Sequence, residues 1–76
     1  MPLDGAVWAF GCLVYKMMQG YAPFRNVNDI CHTDRESSLS SKLSVTCKSF
    51  IRLCLKKDQE KRLQYEKINI HPWVRL

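Results

Sequence analysis

Val7-Trp8-Ala9-Phe10-Gly11-Cys12-Leu13-Val14-Tyr15-Lys16-Met17-Met18 decides the fold class. Val7, Trp8, Gly11, Cys12, Tyr15 and Met18 recur at i, i+3 or i+4, the spacing of one helical face. Leu13, Val14 and Met17 make the other side apolar as well. A helix that is apolar nearly all round is normally buried at the centre of a larger body. The spacing predicts a helix over residues 6–19. Asp4 is its expected N-cap, and Gly20 the expected left-handed residue just past its end. Pro23 prevents renewal of the helix.

Outward from this helix the pattern stays helical. Residues 44–56 carry Cys47, Phe50, Ile51, Cys54 and Leu55 at i, i+3, i+4, i+7 and i+8, with Ser44 as N-cap. Lys48, Arg52 and Lys56 fall on the opposite face. A third, short helix is expected over 65–70, stopped by His71-Pro72-Trp73, because the residue before a proline avoids the helical region. His71 is expected to cap that end. Between the two main helices, residues 21–44 read mostly as loop, with one short helix from Asn28 to about Arg35 and a serine-rich surface loop from Ser37 to Ser41. No strand pairing is evident, so the fold class is all-α with about three helices.

Composition narrows the function classes. The chain has 76 residues, a net charge of +5, 46% hydrophobic and 25% charged residues. That is one small ordered domain and not a disordered chain. No apolar run approaches the ~18–20 residues of a membrane span, and no signal-peptide pattern opens the sequence. A cytoplasmic or nuclear location is the expectation, with no membrane partner. Cys12, Cys31, Cys47 and Cys54 form no Cys-x-x-Cys pair, so no metal site is expected. Cys47 and Cys54 stand two helical turns apart, about 10 Å at 1.5 Å per residue, too far for a bridge. Four reduced, mostly buried thiols are expected. Lys56, Lys57, Lys61 and Arg62 gather around Asp58 and Glu60. No aromatic residue interleaves with them, so a solvated turn outweighs a nucleic-acid surface built on Lys48, Arg52, Lys56 and Lys57.

Taken in order, the motifs resemble the C-terminal lobe of the protein kinase family. Trp8 and Gly11, then Tyr15, Gly20 and Pro23-Phe24, resemble the lobe's long central helix and its exit. Cys47 to Leu55 is similar to the next helix. Asp58-Gln59-Glu60-Lys61-Arg62-Leu63 resembles the family's Asp-Pro-x-x-Arg-Leu, and His71-Pro72-Trp73 its closing tripeptide. The closing tripeptide and Tyr15 favour the serine/threonine branch. Trp8 to Cys12 with Pro23-Phe24-Arg25 resembles the phosphoinositide-dependent kinase group.

The resemblance implies a partial kinase-like C-lobe with structural roles for Trp8, Gly11, Pro23, Phe24, Arg62, His71, Pro72 and Trp73, and no catalytic, cofactor or metal residue. Phosphoryl transfer in the family needs a glycine-rich loop, a strand lysine, a catalytic aspartate and a magnesium aspartate. None of these motifs occurs in the 76 residues. ATP and magnesium are therefore implied only for a complete kinase. The family's brace aspartate, two residues before Trp8, is Ala6 here, and Asp4 lies too far round the helix to replace it. Arg62 matches the arginine that pairs with the glutamate ending the activation segment. With no such glutamate, Arg62 is expected to swing out to water. The implied reading is a kinase fragment, inactive alone. The alternative is a non-catalytic interaction module docking a protein through the apolar helix 6–19.

Overall fold

The computed structural model describes residues 3–32 and 39–74. Helix α1 spans Leu3–Gln19, α2 Val27–His32 and α3 Val45–Cys54, followed by a 3-10 helix at Tyr65–Ile70. Among the described residues there is no strand, and the fold is all-α. No described helix is long and apolar enough to cross a membrane.

Helix α1 begins earlier than its spacing predicts. Asp4 lies inside the first turn, not at the N-cap. An acidic residue is favoured at both places, by cap bonding or by the helix dipole, so residue type alone does not separate them. At the other end Gly20 takes φ +89°, and its N–H donates to the Lys16 carbonyl at 2.9 Å. That left-handed closure is the one expected.

Asn26 caps α2 by accepting the Asp29 N–H on its side-chain oxygen at 3.0 Å. Asp29 in turn accepts the Arg25 N–H at 2.9 Å. The Arg25–Asp29 ion pair at 3.6 Å sits on an exposed arginine and adds little stability. α2 ends at His32; the expected continuation to Arg35, and Ser37 and Ser38, lie outside the described residues. Ser44 caps α3 as expected, its Oγ accepting the Cys47 N–H at 3.1 Å. α3 is shorter than the predicted 44–56, because the chain leaves helical geometry at Leu55.

The core forms where α3 crosses α1. Val7, Val14 and Tyr15 of α1 meet Cys47, Phe50, Ile51 and Cys54 of α3 and the adjoining Leu55. Gly11 sits at the crossing: a Cβ there would lie 2.5 Å from Cys54 Cβ and 3.2 Å from Leu55 Cδ2. The absent side chain is what lets the helices touch.

The molecule is a slab of 35 × 34 × 17 Å. A helix with its side chains is about 10–12 Å across, so the thin dimension has no room for a third layer over α1. α1 is therefore covered on one side only. Phe10, Leu13 and Met17 on its other side are 40%, 53% and 67% exposed. Together with Ala6 they follow i, i+4, i+7, i+11 spacing, an apolar stripe facing outward.

Candidate functional site

The matched motif residues fall into two groups around the core. The first joins Trp8, Phe24 and Arg62. Trp8 on α1 stacks on Phe24 with ring centroids 5.4 Å apart and an interplanar angle of 14°. Pro23, fully buried beside it, fixes the backbone that presents Phe24. The Arg62 guanidinium lies 5.1 Å from the Trp8 ring centroid, a cation–π arrangement.

Arg62 does not swing out to water. It is half-buried, its Nε donating to the Lys56 carbonyl at 2.8 Å and Nη2 to the Lys57 carbonyl at 3.2 Å. Asp58 builds the turn that aims it. The Asp58 side chain accepts the Glu60 N–H at 3.0 Å, and its carbonyl accepts the Lys61 and Arg62 N–H groups at 3.0 and 3.1 Å. The turn then closes on α3 through Leu63 N–H donating to the Leu53 carbonyl at 2.9 Å. The basic cluster is thus a turn whose carbonyls are satisfied by its own arginine. Trp8, Arg62, Lys57 and Ile30 line an open depression of about 300 Å³.

A lysine at this position cannot reproduce the guanidinium fork. Arg62→Lys is expected to cost about 1–2 kcal/mol, taking charged hydrogen bonds at the lower end because the site is only half-buried. In a domain this small that lowers Tm by about 6–13 °C. A melt within a degree of the parent would remove Arg62 from the account of stability.

The second group joins His71 and Trp73 to α3. His71 is buried, 7% exposed. Its Nδ1 accepts the Trp73 N–H at 3.0 Å, so in the neutral ring the proton sits on Nε2. Nε2 then donates to Ser49 Oγ at 3.2 Å. The pair looks like a nucleophile and its base, but the proton is on the wrong nitrogen: His71 has no lone pair facing Ser49 to accept the hydroxyl proton. The His71 ring meets Phe50 edge-on at 5.1 Å, and Trp73 packs on Phe50 at 5.1 Å. The expected helix cap is realised by the His71 backbone, whose N–H donates to the Ile68 carbonyl, while the side chain turns forward to Trp73. Pro72 is exposed and serves only as the stop.

Burial pushes the His71 imidazole below its ordinary value. The unfolded ring takes up a proton near pH 6.5, whereas the folded ring resists it until a lower pH. Stability is therefore complete above about pH 6.5 and falls as the pH drops from there through the folded value. His71→Gln is expected to flatten this dependence in melts between pH 7.5 and 5. An unchanged slope would assign it to other groups.

Asp29 and Asp58 are engaged in turns, Glu60 and Glu66 are exposed, and no metal-holding group of three or more His, Cys, Asp or Glu side chains forms among the described residues. The thiols of Cys12, Cys47 and Cys54 are free, as expected, and Cys31 lies outside the described side chains.

The protein kinase domain family matches residues 4–74. The chain is 38% identical to serine/threonine-protein kinase prk-2 of Caenorhabditis elegans, over 95% of this chain and 17% of that protein. It is 35% identical to serine/threonine-protein kinase pim-2 of Danio rerio, over 97% of this chain and 23% of the relative. Cell division control protein 7 of Schizosaccharomyces pombe is 30% identical over 90% of this chain and 7% of its own length. The chain spans less than a quarter of each of these relatives.

Proposed function

From the premise that this chain belongs to the protein kinase domain family, we propose that it is the helical C-terminal-lobe portion of a serine/threonine protein kinase and transfers no phosphate by itself. The observation that carries the reading is the Arg62–Trp8–Phe24 cluster. It brings together three motif positions, far apart in sequence, that resemble the lobe's central helix, its exit and its Asp-x-x-x-Arg turn. The serine/threonine branch rests on His71-Pro72-Trp73 and on relatives named as serine/threonine-protein kinases. Within that branch, Trp8 to Cys12 and Pro23-Phe24-Arg25 resemble the phosphoinositide-dependent group. A cytoplasmic location, with the nucleus as the alternative, follows from the same reading.

Phosphoryl transfer is almost entirely positioning and charge neutralisation. Positioning groups for a nucleotide do not occur within these 76 residues. What the chain contributes to a complete domain is a scaffold: α1 as the central helix, braced on one side by α3 and on the other by the rest of the lobe. The purified chain, given ATP, magnesium and a generic protein acceptor, is expected to match a blank. Turnover above the blank would end this reading.

A second reading is favoured by exposed Phe10, Leu13 and Met17, a stripe that with half-buried Ala6 continues into an apolar depression of about 310 Å³ shared with Tyr65 and Ile68. In it the chain is a non-catalytic module that docks a protein through α1. Affinity capture separates the two: a stoichiometric partner lost on Leu13→Asp supports the module, and recovery of chaperones alone argues against it.

A further inference from the structure

We propose that Cys12 and Cys54 form an oxidisable pair, and that a hydroperoxide joins them in a disulfide that fastens α1 to α3. The geometry comes from the helix crossing. Cys54 Cβ points at Gly11, so close that a Cβ on Gly11 would lie 2.5 Å away. Cys12 is the next residue on α1 and packs against the same core cluster. Beyond burial, a charge on Cys12 pushes the Cys54 thiol further up. A disulfide needs Cα atoms within about 4.4–6.8 Å, and Cys12 is one residue from the point where α1 comes closest to Cys54. Cys47 is the poorer partner for Cys54, two turns away on the same helix, about 10 Å at 1.5 Å per residue.

The two thiols divide the roles. Cys12 is half-buried and Cys54 fully buried, so peroxide reaches Cys12 first. The Cys12 thiolate attacks the peroxide oxygen, the O–O bond breaks, and sulfenic acid and one water (or alcohol) form. The Cys54 sulfur, losing its proton, attacks the Cys12 sulfur. The S–O bond breaks and a second water leaves. Two thiols and one peroxide thus yield one disulfide. Burial pushes both thiols up, Cys54 to about 12, so thiolate is scarce at neutral pH and the bond forms slowly. The pair behaves as a slow lock, not a fast sensor. Once closed, the bond ties two elements that otherwise meet only by packing, which restricts the unfolded chain.

The test uses the whole chain with hydrogen peroxide, followed by tryptic mapping without reduction. Each cysteine falls on its own tryptic peptide: 1–16, 26–35, 43–48 and 53–56. The expected product is monomeric, lighter by two hydrogen atoms, with peptide 1–16 linked to 53–56. In guanidinium chloride the same treatment is expected to give mixed linkages. The Cys31→Ser/Cys47→Ser variant, which keeps only this pair, is expected to cross-link and then melt higher than its reduced form. Statistical linkage among the four cysteines without denaturant, sulfinic acid on Cys12 without a cross-link, or an oxidised form that melts no higher would each overturn the proposal. The wild-type map alone decides it if the variant fails to fold.

Discussion

Phe50→Ala is expected to bring the chain to the edge of unfolding at room temperature. Phe50 is fully buried on α3. It touches Phe10 edge-on at 5.9 Å, the His71 ring at 5.1 Å and Trp73 at 5.1 Å. One ring therefore holds α1, α3 and the segment after the 3-10 helix together. Truncating a buried phenylalanine costs about 3–5 kcal/mol, transfer and cavity terms included. A domain is stable by only about 5–15 kcal/mol in total, and a chain this size belongs at the low end. Phe50→Leu keeps much of the volume and is expected to cost about 1.5 kcal/mol. Far-UV circular dichroism melts of the three chains check the order. A Phe50→Ala protein that melts like the parent would mean that the aromatic cluster is not the core.

Gly11→Val is expected to come second, at about 3 kcal/mol or more, the upper end of what overpacking costs. At an exposed helix position, glycine to alanine stabilises by about 1 kcal/mol. Here even alanine is expected to reverse that sign, because its Cβ meets Cys54 Cβ, a backbone-anchored atom that cannot rotate away. The control is a double-mutant cycle. Gly11→Ala with Cys54→Gly restores the space, so its loss is expected to fall short of the two single losses added. Strict additivity, or a stabilised Gly11→Ala, would show that the two helices do not touch at this point.

Both predictions rest on positions the sequence made legible to different degrees. Phe50 was readable because Cys47, Phe50, Ile51 and Cys54 repeat at helical spacing behind a serine cap, and local periodicity needs no tertiary information. Gly20 was readable for the same local reason. Gly11 was visible as a motif residue, but its partner Cys54 is not deducible from either helix alone. Arg62 shows what local sequence pattern leaves out. An arginine lacking its carboxylate partner was expected in water, and the structure folds it back onto two carbonyls and an indole. The two carbonyls lie only six and five residues before Arg62, but the indole comes from a helix distant in sequence, so local pattern alone does not encode the whole contact. His71 is similar: its capping role was legible, yet the tautomer depends on where Ser49 and Trp73 arrive. The start of α1 was missed because aspartate suits both a cap and a first turn.

The two aromatic groups also give the chain a pair of internal optical reporters. It has two tryptophans, and each belongs to a different group: Trp8 with Phe24 and a guanidinium, Trp73 with Phe50. Their fluorescence therefore samples two separate seams of the slab, the arginine turn and the closing segment. With one indole replaced by phenylalanine, the emission of the other follows a single seam. Coincident emission shifts on heating mean one cooperative unit; an earlier shift at either indole names the seam that opens first.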